Sequence, residues 1–150
     1  MEEPGCRLLE QSKARRARLE DARNFFQFAQ DQEEEEGWVK ERQRVCKAGI
    51  SAKDLRAVLS LQQKHKALLD EMKSRRQKCE RVCESGQHLI AEEHPRSSEI
   101  GARIDSLRIH WKRLEELASL RKKQLEDAAE AYQVRFELYI SSFPVNERNA

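Results

Sequence analysis

Apolar residues recur in steps of three and four along most of the chain, which is the spacing of an amphipathic helix. The clearest run has one polar intruder, Arg121, and its apolar members are Ile100, Ile104, Leu107, Trp111, Leu114, Ala118, Leu125, Ala128 and Tyr132. A stripe sustained over about four heptads is the seam along which helices pack in a coiled coil. The pattern predicts a helix that begins near Ser97 or Ser98 and continues at least to Gln133.

Two further helices are predicted upstream. The first runs from about Arg7 to Cys46, and Gly37 inside it costs about 1 kcal/mol relative to alanine without breaking a long helix. The second runs from about Ala52 to Ala91, with Asp54 in a first turn where the helix dipole favours a carboxylate. The stripe of the first helix is Phe28, Glu35, Trp38, Arg42 and Val45, and that of the second is Leu55, Val58, Gln62, His65, Leu69, Met72, Arg76, Cys79, Cys83, Gly86 and Ile90.

Glycine or proline marks each break between these helices, in Pro4–Gly5, Lys47–Ser51, His94–Ser97 and Phe143–Pro144. Three helices with short connections predict an all-α fold, an elongated antiparallel bundle that runs up, down and up. No helix can bury its stripe alone, so the three must share one core. The residues predicted to form that core are Phe28, Trp38, Leu55, His65, Leu69, Ile100, Ile104, Leu107, Trp111, Leu114 and Leu125.

The chain contains an internal repeat with an offset of 106 residues. Leu19–Ala22 recurs as Leu125–Ala128, and the same offset pairs Leu8 with Leu114, Arg15 with Arg121 and Phe26 with Tyr132. A repeating unit of this length is a whole small domain. We therefore expect residues 1–24 to be the end of a preceding repeat with a continuous linker helix. Residues 25–133 would form one complete repeat, and residues 134–150 a divergent, partly frayed tail.

Composition narrows the classes of function. The 29 Lys and Arg nearly balance the 27 Asp and Glu, which argues against a dedicated nucleic-acid binder. The charges alternate in sign, as on the solvated faces of long helices. The acidic N-terminal residues show no secretory signal, and no apolar run approaches the ~20 residues that span a bilayer. We expect a cytoplasmic protein without membrane insertion, whose four cysteines stay reduced.

Candidate catalytic and metal-binding residues are few. Cys79 and Cys83 stand at i and i+4 and could help to bind zinc, but a structural zinc site needs four ligands and no second pair exists. Both thiols also suit the apolar stripe as small hydrophobic side chains. His65 would need a nucleophile or carboxylate beside it in a cleft, which a solid bundle does not offer. We predict that the protein is not an enzyme and that it has no catalytic residue, no metal-binding residue and no cofactor.

Runs of like charge raise the question of a binding surface. Glu33–Glu36 could attract calcium, but calcium loops need a turn with glycine at a fixed place, and this run is predicted to be helical. A solvated acidic face is therefore expected. Arg15–Arg18 and Lys73–Lys78 are basic and could touch anionic lipid or an acidic partner. Because acidic residues lie near both runs, we favour the interpretation that they form a salt-bridged surface.

The chain resembles the spectrin repeat from Leu8 to Gln133. The residues that match helix A of the family are Phe28, Asp31, Trp38 and Val39. Those that match helix B are Lys53–Leu55, Lys64, His65, Leu89 and Ile90. The loop with His94 follows, and the residues that match helix C are Ile100, Arg103, Leu107, Trp111, Leu114, Leu117 and Leu125. The two tryptophans lie 73 residues apart, as the core tryptophans of helices A and C do in the family. The Glu-rich helix A favours spectrin chains over α-actinin, dystrophin or plakin relatives.

Two features depart from the family pattern. Val134–Pro144 replaces the next helix A and carries no tryptophan, and only the C-terminal half of a preceding helix C is present. Residues 8–24 and 134–143 also carry apolar side chains with no evident partner in the chain. Exposed apolar stripes promote association, so we expect fraying of these ends or dimerisation through them.

The resemblance implies a non-enzymatic spacer and elastic scaffold element in a spectrin-type, actin-associated membrane cytoskeleton at the cell cortex. The implied partners are neighbouring repeats and a partner spectrin chain and, indirectly, actin and membrane adaptors. The alternative is a docking repeat that recruits a protein or anionic lipid through one helix face or the junction between repeats. A third class, a coiled coil that binds nucleic acid, would show a steep dependence of affinity on salt.

Overall fold

The computed structural model describes residues 4–142, with side chains from Arg7 onward. Its helices are α1 (Pro4–Lys47), α2 (Leu55–Ala91) and α3 (Ser97–Ser141), and residues 4–142 contain no strand. The predicted all-α fold of three helices is confirmed. The first helix begins earlier than predicted, and α3 continues beyond Gln133. The predicted break at Phe143–Pro144 lies outside the described residues.

The beginning of α2 differs from the prediction. The helix begins at Leu55 and not at Ala52. Asp54 is its N-cap, because its side-chain oxygen accepts a hydrogen bond from the backbone N–H of Ala57 at 2.8 Å. An N-cap residue lies just outside the helix and satisfies a backbone donor that has no intrahelical partner. The carboxylate thus acts from the position just before the helix and not from within its first turn.

The chain divides into two compact units, and every helix contributes a segment to each. Unit 1 is Met1–Lys40 with Arg75–Trp111, and unit 2 is Glu41–Ser74 with Lys112–Ala150. In each unit the segments of α1 and α3 are parallel and that of α2 is antiparallel to them. The contacts between helices follow this order. In unit 1, Arg103 contacts Gln32 and Arg75 contacts Glu35; in unit 2, His65 contacts Ala118 and Arg121 contacts Ala48.

The core of unit 1 is formed by the predicted stripe together with several neighbours. Its most buried apolar side chains are Phe28, Val39, Ile100, Ile104 and Leu107. The rings of Trp38 and Trp111 stack with centroids 5.9 Å apart and an angle of 22° between their planes. Trp111 is buried, whereas Trp38 is only half-buried. The indole pair thus lies at the edge of the core.

The core of unit 2 contains Val58, His65, Leu114 and Leu125, among others. Two predicted core residues, Leu55 and Leu69, are half-buried, and Leu68 is buried beside the latter. Val45 is exposed, while its neighbour Cys46 is buried. These one-residue shifts have a geometric cause. A straight helix drifts by about 20° per heptad against a repeat of seven, so a stripe extrapolated along a long helix slips by one position.

Gly86 marks the closest approach of α2 to its neighbours in unit 1. A β-carbon placed there would lie 2.6 Å from a ring carbon of Phe28 and 2.8 Å from the terminal methyl of Ile104. Both side chains are buried, so neither can move away without opening the core. Gly37, by contrast, has no atom within 4 Å of such a β-carbon.

We expect opposite effects from alanine at these two glycines. Gly86→Ala gains helix propensity but overpacks the core, and we expect it to lower the free energy of unfolding by about 1–3 kcal/mol. Gly37→Ala only gains helix propensity and should raise the free energy of unfolding by up to about 1 kcal/mol. Urea denaturation of both variants measures the difference. An equal gain in both would show that the helices do not approach closely at Gly86.

Candidate functional site

Unit 1 encloses a carboxylate in its core. The Glu35 side chain is inaccessible to solvent, and its Oε1 lies 3.3 Å from Nη2 of Arg75 and 3.5 Å from Nζ of Lys78. Within the described chain, the second oxygen of Glu35 has no hydrogen-bond partner, and neither does Nε of Arg75. A buried charge is tolerated only where opposite charges compensate for lost hydration. Burial of Glu35 therefore depends on the two cations of α2, Arg75 and Lys78.

Arg75 also contacts the half-buried ring of Trp38. Its guanidinium lies 5.0 Å from the centre of the Trp38 ring. A guanidinium over an indole face gains a cation–π attraction. One side chain thus neutralises Glu35 and shields Trp38, and it joins α2 to two consecutive turns of α1.

Only part of the acidic run Glu33–Glu36 is the solvated face that the sequence suggested, because Glu33 and Glu34 are exposed and the other two are not. Glu35 is buried, and Glu36 accepts hydrogen bonds from Gln32 and Ser106. Burial raises the pKa of Glu36, but these two hydrogen bonds and nearby Lys40 outweigh it, so the pKa lies below its ordinary value. Successive helical residues are 100° apart, so four in a row cannot all face solvent.

The basic run Lys73–Lys78 is largely engaged in ion pairs. Arg75 and Lys78 contact Glu35, and Arg76 lies 3.6 Å from Glu80 on the same helix. Arg76 and Glu80 are both exposed, so their attraction is screened by water. These pairs favour the salt-bridged interpretation of the run over a docking surface for lipid.

The two adjacent arginines should contribute very differently to stability. We expect Arg75→Ala to lower the free energy of unfolding by about 2–3 kcal/mol, because Glu35 is left buried with only Lys78 beside it. Arg76→Ala removes an exposed ion pair and should change the free energy of unfolding by less than about 0.5 kcal/mol. Chemical denaturation monitored by circular dichroism compares them. Similar values for both variants would mean that Glu35 is hydrated.

The connection between α2 and α3 is organised by a helix cap. Glu93 adopts a left-handed backbone with φ of 59°, and the N–H groups of Glu93 and His94 donate to the carbonyls of Ile90 and Leu89. These are the two hydrogen bonds of a Schellman motif, in which the left-handed position usually holds glycine. Pro95 follows at a position where the helix can no longer continue.

His94 attaches this connection to α1. Its Nδ1 accepts a hydrogen bond from the N–H of Arg96 at 3.0 Å, so its Nε2 carries the proton and donates to the backbone carbonyl of Asp21 at 2.8 Å. The ring of Phe25 lies beside it, 6.2 Å from the imidazole, and the guanidinium of Arg96 lies 4.6 Å from the centre of that ring. We call this set of contacts the His94 latch.

In unit 2, α3 holds the connection between α1 and α2. Arg121, the polar intruder in the stripe, is buried because its Nη1 donates to the carbonyl of Ala48 at 2.6 Å. Farther along α3, the hydroxyl of Tyr132 donates to the carbonyl of Ala52 at 2.7 Å. Each connection of the fold is thus fixed by a polar side chain that reaches a backbone carbonyl.

His65 forms a similar contact inside unit 2. Its Nε2 donates to the carbonyl of Ala118 at 2.9 Å, whereas Nδ1 is buried and has no hydrogen-bond partner among the described residues. Burial lowers the pKa of His65, and the charges of Arg121 and Lys122 lower it further, although the hydrogen bond to Ala118 opposes the shift. The neutral imidazole is therefore the form that the folded state prefers.

The stability of the protein should fall in mildly acidic solution because of His65. With a folded pKa below the unfolded value of about 6.5, the unfolded chain binds the proton first. The contribution of neutral His65 is complete above about pH 6.5 and is lost as the pH falls towards the folded pKa. We expect His65→Gln, which keeps an N–H donor, to lose that part of the pH dependence. Denaturation from pH 7.5 to 5 tests this, and identical pH profiles would contradict it.

Cys79 and Cys83 are both buried on α2. A hydrogen bond between the thiols raises the pKa of Cys79 and lowers that of Cys83 to about 7, with Arg108 beside the second thiol as a further cause. Across the described residues, no three His, Cys, Asp or Glu side chains converge as a metal site requires. Both thiols pack within unit 1.

Comparison with known proteins places this three-helix architecture in a family. The model of the spectrin repeat matches residues 23–127, so the chain belongs to the spectrin repeat family. It is 32% identical over 119 residues to the erythrocytic spectrin beta chain of Mus musculus, which covers 79% of this chain. It is 32% identical over 134 residues, or 89% of the chain, to the spectrin beta chain of Drosophila melanogaster.

A third relative, the non-erythrocytic spectrin beta chain 5 of Homo sapiens, is 32% identical over 100 residues, or 67% of this chain. The matches span only 6% of the mouse and fly proteins and 3% of the human one. The predicted resemblance is confirmed. The spectrin repeat family is structural and non-enzymatic, and together with these relatives it supports a structural cytoskeletal repeat. In the described residues, no helix is apolar enough over a sufficient length to cross a bilayer.

Proposed function

We propose that this repeat is a spacer and elastic element of a spectrin-type, actin-associated membrane cytoskeleton at the cell cortex. Family membership and the similarity to spectrin beta chains support the proposal. Its partners would be neighbouring repeats and a second spectrin chain and, through them, actin and membrane adaptors. The folded domain would be residues 25–133, preceded by the end of another repeat in residues 1–24 and followed by a divergent tail in 134–150.

The observation that carries the proposal is the continuity of α1. The helix runs from Pro4 to Lys47 without interruption, and Gly37 does not break it. Its N-terminal half exposes Leu8 and Leu19, which the internal repeat aligns with the buried Leu114 and Leu125 of α3. A helix that belongs to one repeat at its start and to the next at its end would transmit force directly between them.

The His94 latch supports a mechanical role in a second way. It ties the connection between α2 and α3 to the backbone of α1 at Asp21, close to the proposed boundary at residue 24. A bend of α1 near that boundary would strain the hydrogen bond from His94 and the ring contact with Phe25. The latch would therefore stiffen the junction under small loads and release it under larger ones.

Single-molecule stretching tests the elastic role. We expect the 150-residue chain, held at its two ends, to unfold in cooperative steps and to refold when the force is relaxed. His94→Ala should lower the unfolding force because unit 1 loses the latch. The matched control is His88→Ala, since His88 is exposed and pairs with Glu92 on the same helix. Gradual extension without cooperative steps, or failure to refold, would argue against an elastic spacer.

A docking repeat is the second candidate function. One observation favours it: Phe136 and Tyr139, one turn apart near the end of α3, are both more than half exposed. Apolar side chains that cluster at a surface are typical of sites that bind a partner. The two functions are compatible, because one face of a spacer can also recruit another protein.

A further inference from the structure

A shallow apolar groove lies in unit 2 between the beginning of α2 and the end of α3. We call it the α2–α3 groove, and its apolar lining consists of Leu55, Leu59, Tyr132, Phe136 and Tyr139. Leu59 is 48% exposed, Phe136 53% and Tyr139 61%. Scattered apolar residues on a surface need no explanation, but these line one continuous depression.

The floor of the groove is fixed in place by hydrogen bonds. The hydroxyl of Tyr132 donates to the carbonyl of Ala52, which ties α3 to the segment before α2. Asp54 caps α2 through the N–H of Ala57, so the first turn of that helix is well defined. A preformed surface loses little conformational entropy when a partner binds, which favours affinity.

The rim of the groove is cationic. Lys53, Arg56 and Arg135 line it, and none of the three takes part in an ion pair between residues 7 and 142. Arg135 lies over the ring of Tyr132, with its guanidinium carbon 5.9 Å from the ring centre. The one acidic lining residue, Asp54, is engaged as the N-cap. An apolar floor is thus bordered by three cations and one carboxylate, so the rim carries a net positive charge.

We propose that the α2–α3 groove is a docking site for an acidic amphipathic helix of another protein. Such a helix lays its apolar face into a groove between two helices, with anchor side chains about one turn apart. Acidic residues beside that face would meet Lys53, Arg56 and Arg135, and complementary charge accelerates encounter and selects the partner. The inference rests on the docking candidate and not on the spacer role, so its failure leaves the elastic proposal intact.

The same observations disfavour other occupants. Clusters of about four to eight cations on an open face attract an anionic membrane, whereas here three cations surround an apolar depression. Nucleic acid requires a longer basic stripe. In a symmetric dimer formed through this groove, the same cations of both copies would face each other. A helix with acidic flanks satisfies both the apolar lining and the charged rim.

Fluorescence anisotropy with a synthetic peptide tests the proposal. The probe is a labelled helical peptide with leucine at i, i+3, i+4 and i+7 and glutamate on both sides of that stripe, titrated with the 150-residue chain. The control peptide has lysine at each glutamate position. We expect the acidic peptide to bind at least about tenfold more tightly than the control at low salt, and the preference to decrease as salt is added.

Variants of exposed residues locate the binding site. Phe136→Ala and Arg135→Glu should each weaken the binding of the acidic peptide about tenfold or more. The matched controls on α3 are Leu120→Ala, which removes a leucine that is 53% exposed, and Lys123→Glu, which reverses an exposed charge. Both controls should stay within about twofold of the parent chain. Circular dichroism establishes that every variant is folded.

Several results would overturn the proposal. These are no binding of the acidic peptide, equal affinity for both peptides, or equal weakening by the control variants. A dimer in sedimentation experiments that Phe136→Ala abolishes, without peptide binding, would identify a second copy as the occupant. Binding to vesicles of phosphatidylcholine and phosphatidylserine, lost in Arg135→Glu while the peptide fails to bind, would identify lipid instead.

Discussion

The contact of Phe28 and Ile104 with the backbone at Gly86 is the constraint on which unit 1 depends. Because Gly86 has no β-carbon, α2 approaches the other two helices closely enough for both side chains to be buried. The same approach brings Arg75 and Lys78 within reach of Glu35 on α1. A wider separation would leave the carboxylate without its cations, so the apolar contact and the ionic contact depend on each other.

Polar groups give this apolar seam its register. Glu35, His65 and Arg121 all lie in stripes that consist mostly of apolar side chains. Glu35 is compensated by two cations of α2, and His65 and Arg121 each donate to one backbone carbonyl. Sliding a helix by one turn would keep much of the apolar contact but would leave a buried charge or donor without its partner. Such groups contribute little net stability and instead disfavour wrong alignments. For long helices with repetitive stripes, that selectivity matters more than additional apolar area.

The sequence sufficed for the three helices because their period of apolar residues continues over many turns. It also identified Ile100, Ile104, Leu107 and Leu114 as core, since a heptad stripe in α3 directly encodes the packed face. It was less accurate for Leu69 and Val45, where drift between 3.6 and 3.5 residues per turn shifts the buried position by one. Element type follows from local pattern, whereas the exact buried face depends on how the helices pack.

The polar contacts were the least predictable part. Glu35 stands in an acidic run whose composition suggests solvent, and only the proximity of Arg75 and Lys78, forty or more residues away, explains its burial. Arg121 was visible as an exception in the stripe, but its acceptor is a carbonyl of Ala48. A backbone acceptor has no residue type and therefore no signature in the sequence. His94 was placed in a connection, and the adjacent Pro95 was the only local sign of a specialised turn.

The acceptor of the His94 latch has an evolutionary consequence. The imidazole binds the main-chain oxygen of residue 21, and every amino acid at that position would offer the same oxygen as long as the helix persists. The two sides of the contact therefore tolerate change unequally. The side chain at position 21 can change without loss of this hydrogen bond. Position 94, in contrast, must supply both a ring acceptor and a ring donor at fixed angles.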